Sequence, residues 1–298
     1  MKSKHQASAS ELGHRLRDYR AAAGLTLREL SEALGRPTAN VHRLETAERE
    51  ATETEIVHYM ATCGAPYSDV LKMLDAWREA HDLRGYWLCP HPQWMDDSLR
   101  SLIFHEAKAN HSVSYEPEFI PGLLQTEPYM RALLTGLGRS GDLLEAQVRA
   151  RTDRQGILFR KNPAKFMFYI HERALRMEIG SYQIMTEQLL AMMFFADQSN
   201  IAIRVVPAAA RERGSFGGPF RLFGFAKYHT LAYLAGPVGG LLLEDREYVA
   251  GIRSLNGQVA DIALDTGESR LLLAKLADEF DRSEGSWDGP RQVAQEQL

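Results

Sequence analysis

Between Thr38 and Glu45 the chain reads Thr-Ala-Asn-Val-His-Arg-Leu-Glu. With Val41 and Leu44 turned inward at helical spacing, Ala39, Asn40, His42 and Arg43 are left on the outer face. An asparagine can pair with an adenine edge and an arginine with a guanine edge, each through two hydrogen bonds in the major groove. Asn40, His42 and Arg43 are therefore candidate base readers. Arg15, Arg17, Arg28 and Arg36 are candidates for phosphate contacts, which position a protein on a duplex without reading its sequence. A helix N-terminus also favours a phosphate, so Thr26, Thr38 and Ala39 complete the DNA-facing set.

Other constellations carry less. Gly136-Leu-Gly-Arg-Ser-Gly141 matches G-x-G-x-x-G, but a dinucleotide site needs a strand before the glycines and a helix opening on them. Tyr129 to Thr135 reads as a helix, so the glycines read as a helix stop and a loop, with Asp142 capping the next helix. Gly214-Ser-Phe-Gly-Gly218 lacks nucleophile-elbow spacing. Cys63, His81, Cys89 and His91 are metal-ligand types without zinc-ligand spacing. His105 and His111 do not share one tight helical face, and Glu172 with Arg173 reads as an ion pair or as part of a ligand site. The expectation is a protein that is not an enzyme and holds no metal and no cofactor. Phe216, Phe220, Phe223 and Tyr233 could line an effector or partner site, although alternating aromatics in strands are usually core.

The elements that must position these residues follow from period and punctuation. Leu12, Leu16 and Tyr19 mark a first helix ended by Gly24. Thr26-Leu-Arg-Glu29 fits a capping box for a second, with Leu27, Leu30 and Leu34 as its apolar stripe and Gly35 as its stop. A third opens with Thr38 as its N-cap. Two short helices joined by a Gly-containing turn form the helix-turn-helix pattern. Ile56, Val57 and Met60 mark a fourth helix and Val70, Leu71, Leu74 and Trp77 a fifth. Beyond these, helices are expected from Met95 to Asn110, Asp142 to about Phe159, Tyr182 to Asp197, Asp245 to Gln258 and Gly267 to Phe280. Strands are expected over Lys165–Ile170, Ile201–Val206, Phe220–Phe225, Thr230–Leu234 and Gly240–Leu243.

The fold class is then mainly α, with a five-helix helix-turn-helix domain before a mixed α+β domain. The boundaries read are 1–84 for the head, 85–94 for a Pro/Gly-punctuated linker, 95–282 for an effector and oligomerisation domain, and 283–298 for a flexible tail. A length of 298 residues fits two domains. The 35 Lys and Arg against 39 Asp and Glu give a net charge of −4, which excludes a chain coated in basic charge. Residues 1–44 nonetheless carry eight basic against four acidic side chains, so a basic head precedes an acidic body. Two cysteines fit a reducing compartment. No apolar run approaches the ~20 residues that span a bilayer, and the N-terminus lacks a signal peptide's apolar middle, so a cytoplasmic protein without membrane partners is expected.

Leu25-Thr-Leu-Arg-Glu-Leu-Ser-Glu-Ala-Leu-Gly35 followed by Val41-His-Arg-Leu-Glu45 resembles the Xre/Cro-type helix-turn-helix family. Ala47 departs from that pattern, standing where the family usually has a glycine after the reading helix. Pro37 in the turn and His42 in the reading helix are further departures. The body resembles the C-terminal domain of a group of actinobacterial regulators through Ile120-Pro-Gly-Leu-Leu-Gln-Thr126, Arg149 to Gln155, Glu172-Arg-Ala-Leu175, Val205-Val-Pro207, Gly218-Pro-Phe220 and Gly239 to Asp245. The resemblance implies a transcriptional regulator that binds double-stranded operator DNA as a homodimer. It also implies pairing with a small acidic partner protein in an antitoxin-like arrangement, and a small-molecule effector is a further possibility. The alternative is an antitoxin-like interaction module that sequesters such a partner and binds DNA only to regulate its own operon.

Overall fold

The structure, a computed structural model, describes residues 6–81, 86–90, 97–210, 218–226, 229–236 and 239–284. In chain order these form α1 (Gln6–Ala22), α2 (Leu27–Ala33), α3 (Thr38–Glu45), α4 (Glu53–Thr62), α5 (Tyr67–His81), β1 (Tyr86–Pro90), α6 (Asp97–Lys108) and β2 (His111–Glu116). Then come α7 (Glu127–Gly136), α8 (Gly141–Gln155), β3 (Lys165–His171), α9 (Glu172–Arg176), α10 (Tyr182–Ala196) and β4 (Ile201–Val206). The chain closes with β5 (Phe220–Gly224), β6 (Leu231–Gly236), β7 (Gly239–Leu243), α11 (Arg246–Ile262) and α12 (Thr266–Glu284). The chain is mainly α, a five-helix head followed by a mixed α/β remainder.

By contacts the chain divides into two units. The first holds the residues up to Ser112 together with Phe220–Asn256, and the second holds Val113–Pro219 with the residues from Gly257 onward. The segment 85–94, read as a linker, is corrected here. Its Tyr86–Pro90 is strand β1, paired antiparallel with β7 from Tyr86 opposite Leu243 to Pro90 opposite Gly239. Pro90 ends this strand, which lies at the edge of the sheet order, where a proline is tolerated.

The head is built around Leu12, Leu16, Leu30, Val41, Leu44, Ile56, Tyr59 and Met60, all buried in one cluster. Its helices begin and end by backbone chemistry that can be traced bond by bond. Thr26 with Glu29, and Thr52 with Glu55, form capping boxes at the starts of α2 and α4. The start of α3 differs from expectation: Pro37 is the N-cap, with no side-chain bond, and Thr38 is the first helical residue. Helices α1 and α2 end in paired bonds of the Schellman type, closed by Gly24 and Gly35 at positive φ. Helix α3 ends the same way, with Glu48 N–H on the Arg43 carbonyl (2.8 Å) and Ala47 N–H on that of Leu44 (3.2 Å). Here the left-handed residue is Ala47, at φ 56°, the single non-glycine with positive φ among the described residues. The turn after α3 is clamped by Arg49, which donates to both Glu55 oxygens (2.9 and 3.0 Å) and to the Asn40 carbonyl (3.2 Å).

The rest of the first unit is the antiparallel run β1-β7-β6-β5 with α6. Its own small core holds Leu102, Ala109, Phe223, Leu231, Tyr233 and Leu242. Gly240 is required there, since a Cβ on it would lie 2.1 Å from the Tyr233 ring. Where α1 meets this part the contacts are polar. Ser8 donates to Glu244 (2.9 Å), Glu11 meets His105 (3.2 Å) and Lys108 donates to Ser10 (3.3 Å). Glu106 and Arg221 form a buried ion pair at 2.7 Å.

In the second unit β3 and β4 pair in parallel, Phe166 opposite Ile201 through His171 opposite Val206, and α10 and α12 bury Met185, Leu189, Met192, Leu273 and Leu276 in the same core. The motif segment Ile120–Thr126 is tied down by glutamines. Gln125 donates to the Ile120 carbonyl (2.7 Å), Gln155 to those of Leu123 and Gln125 (3.2 and 2.6 Å), and Gln188 to that of Leu124 (2.7 Å). Arg204 bonds the carbonyls of Ala260, Ala263 and Leu264 where α11 ends, which serves as its C-terminal cap.

Two outcomes follow. A left-handed non-glycine residue costs about 1–2 kcal/mol, against about 0.4–1 kcal/mol for a glycine's added freedom in the unfolded chain. Ala47→Gly should therefore stabilise the head, slowing hydrogen exchange of its core amides in the full chain by roughly two- to fivefold. Second, the Arg49 bonds hold the Glu55 carboxyl down at about 2, against the opposing push of burial. A carboxyl depressed in the folded state stabilises above its unfolded value, and that stability is lost as pH falls toward the folded one. Urea midpoints should drop between pH 5 and 2 by the equivalent of about 2–3 kcal/mol. The Glu55→Gln variant should be weaker at neutral pH and show a smaller drop.

Candidate nucleic-acid interface

Helix α3 turns Val41, Leu44 and Glu45 inward. At about 100° per residue this leaves Ala39 and Arg43 opposite the buried seam, with Asn40 and His42 on the two flanks. Glu45 decides where that helix sits. Its carboxylate, 8% exposed, accepts from Arg20 Nε (2.7 Å) and Nη2 (2.9 Å) and from the Tyr59 hydroxyl (2.7 Å). One acid thus joins α3 to α1 and α4, while Arg20 Nη1 donates to the Leu25 carbonyl in the α1–α2 connection (2.9 Å). Burial pushes the Glu45 carboxyl up, but the Arg20 and Tyr59 bonds outweigh it and hold it below its ordinary value. The same bonds raise Arg20, and burial with the Glu45 bond raises Tyr59. The backbones also cross closely: a Cβ on Gly13 would stand 2.6 Å from the Glu45 carbonyl oxygen.

On the outer face Thr38, Ala39, His42 and Arg43 are exposed and Asn40 is half-buried. Two of the candidate readers are bonded to each other. Arg43 Nη2 donates to Asn40 Oδ1 (2.5 Å) and Arg43 Nε to the Ala39 carbonyl (3.3 Å). The candidate phosphate residues divide by partner. Arg15 is bonded to Glu11 (2.5 Å), Arg28 to Glu32 (2.8 Å), and Arg36 stands 3.8 Å from Glu55. Arg17 is exposed and makes no ion pair among the described residues. Thr26 Oγ1 is engaged in its capping box, accepting from Glu29 N–H and donating to the Glu29 carboxylate. Sequence reasoning missed the Glu45–Arg20–Tyr59 group. A signal was present in Glu45 directly following Leu44 on the inward stripe, where an acid is out of place unless paired.

The other expected sites resolve differently. Phe220, Phe223 and Tyr233 are buried, so their aromatic surface is used in packing, and an effector site on them would require displacing the core. Phe216 lies outside the described residues, as does His91. The G-x-G-x-x-G string joins helix to helix: Gly136 ends α7, Gly138 (φ 78°) closes its last turn and Gly141 begins α8. The strand that a dinucleotide site needs before its glycines is replaced by α7. Glu172 and Arg173 are not each other's partners. Glu172 accepts from Arg176 (2.7 Å) and from Ala208 N–H, whereas Arg173 reaches Glu118 (3.1 Å). The Cys63 thiol is pushed up to about 11 by burial, which leaves it a poor nucleophile. Among the described residues no helix is long and apolar enough to cross a membrane.

Family models match the two parts of the sequence separately. Residues 11–73 match the model of a helix-turn-helix domain, the module of DNA-binding regulators. Among solved structures, the clp gene regulator ClgR from C. glutamicum is 31% identical over 25% of this chain and 92% of its own, with a TM-score of 0.21. A search of curated proteins finds no match. Residues 99–275 match the domain of unknown function DUF5753. Since that match covers more than half of its length, the chain belongs to the DUF5753 family, with a helix-turn-helix domain at its head.

Proposed function

We propose that this protein is a sequence-specific transcriptional regulator of the Xre type that lays α3 in the major groove of an operator. The observation that carries the reading is the outward placement of Ala39 and Arg43 on a helix whose inner face is bonded by Glu45 to two other helices. A helix held in this way pays no cost for ordering its backbone at binding. The head acts in pairs, because two such helices one DNA turn apart, ~34 Å, read a two-fold operator. The DUF5753 part supplies self-association and answers an effector, a small acidic partner protein or a small molecule. Support for such coupling lies in the polar bonds from Ser8, Ser10 and Glu11 of α1 to Glu244 and α6, through which a displacement there reaches the head.

The test is binding of the full chain to the DNA upstream of its own gene, beside unrelated DNA, over a series of salt concentrations. Arg43→Ala should weaken binding to the specific fragment by about 1–3 kcal/mol and flatten the difference between fragments. Arg17→Ala should weaken binding to both fragments alike and reduce the salt slope by about one. Arg15→Ala should leave that slope unchanged, since its guanidinium is already bonded to Glu11. Equal affinity of the wild-type protein for every fragment, or no binding by folded protein, would overturn the regulator reading.

A further inference from the structure

We infer that Asn40 is a positioning residue, holding Arg43 so that Arg43 alone reads a guanine, and not a base reader in its own right. This rests on the reading of α3 proposed above and sharpens it. The geometry is specific about which edges are used. A guanidinium has a side edge, Nε–H with one Nη2–H, and an end edge, made by the second Nη2–H and an Nη1–H. In Arg43 the side edge is occupied on the helix itself, Nε by the Ala39 carbonyl and Nη2 by Asn40 Oδ1. The end edge then presents two parallel N–H groups, which is the pattern that guanine O6 and N7 accept. Arg43 also occupies the centre of the outward face, while Asn40 is half-buried on its flank.

The same bond competes with the other option. An asparagine that reads adenine must accept from N6–H with its oxygen while donating to N7 with its nitrogen. Arg43 already holds one acceptor position of the Asn40 oxygen, so an adenine would have to share that oxygen or displace Arg43. The backbone at Asn40 is fixed as well, because its main-chain carbonyl accepts from Arg49, itself bonded to both oxygens of Glu55. A long arginine side chain loses rotamer freedom when it orders on a base, and a pre-formed bond to Asn40 lowers that cost in advance.

The experiment starts with selection of bound sequences from a randomised DNA duplex pool by full-length wild-type protein. The selected site is then substituted base by base and measured against the wild type, Asn40→Ala, Asn40→Asp, Arg43→Ala and the Asn40→Ala/Arg43→Ala double variant. Aspartate keeps the acceptor for Arg43 and removes the amide donor that adenine needs, so it separates the two roles. The expected result is one G·C pair at which the wild type loses about five- to 150-fold on substitution. At that same pair both Arg43→Ala and Asn40→Ala should flatten the preference, with the double variant no worse than Arg43→Ala. Asn40→Asp should retain the guanine preference even where its added charge lowers affinity for all DNA. The inference is overturned if Asn40→Ala and Asn40→Asp both erase preference at a separate A·T pair, additively with Arg43→Ala. A wild-type pool that yields no preferred sequence would overturn the α3 reading itself, a failure visible before any variant is made. Thermal unfolding of each variant beside the wild type shows whether a loss reflects the contact or the fold.

Discussion

A single carboxylate decides the geometry of the head. Glu45 is buried, and an isolated charge there would be costly, so the fold must bring donors to it. Arg20 supplies two and Tyr59 a third, from different helices. These three bonds tie α1, α3 and α4 to one another. Apolar packing of Leu16, Leu30, Val41 and Ile56 would tolerate small slides between these helices, whereas a bidentate arginine–carboxylate pair tolerates little. The consequence appears on the opposite side of α3, because the bonds made to Glu45 on the inside of the domain fix the helix that carries Arg43.

The second unit solves a different problem by similar means. The Pro-Gly-Leu-Leu-Gln-Thr segment buries Leu123 and Leu124, and a segment that buries its side chains tends to bury backbone carbonyls as well. Those carbonyls receive glutamine amides from Gln125, Gln155 and Gln188, the last two brought in by α8 and α10. The Gln188 oxygen in turn accepts from Thr126 N–H at the start of α7. The specificity of this string therefore has a structural account, since each polar residue in it or against it answers a particular orphan carbonyl or amide.

How much of this was legible in the sequence differs by element. The head was readable because its signals are local. The apolar spacing of Leu12 and Leu16, the Thr26–Glu29 box and the stops at Gly24 and Gly35 each depend on residues within one or two turns. Ala47 stood out only through the resemblance, which has a glycine at that place, and its φ of 56° supplies the physical reason. Strand β2 escaped because its inward positions include Ser112 and Ser114, both buried, so the alternation of apolar and polar residues that marks a strand is blurred. Strand β1 escaped because Gly and Pro punctuation stood on both sides of a short apolar run. The aromatics of β5 and β6 were seen, but alternation alone cannot say whether a ring faces a ligand or a core, and the partner Gly240 under Tyr233 lies on another strand. The Glu45 network spans residues 20 to 59 and was legible only as an acid in an apolar place.

The pairing of charges within the head bears on how such a domain can bind DNA. Of the arginines able to meet phosphates, Arg15 faces Glu11, Arg28 faces Glu32, and Arg36 and Arg49 stand around Glu55. These pairs are partly exposed and individually weak, yet each lowers the charge that a duplex would feel. Arg17 and the outward edge of Arg43 remain. Counterion release scales with the number of phosphates neutralised, so one head of this composition has little non-specific affinity to draw on. The start of α3, which has no side-chain cap, adds backbone N–H groups that favour a phosphate. Arginines paired with neighbouring acids, as Arg15, Arg28 and Arg36 are, offer a duplex less general attraction than unpaired ones would.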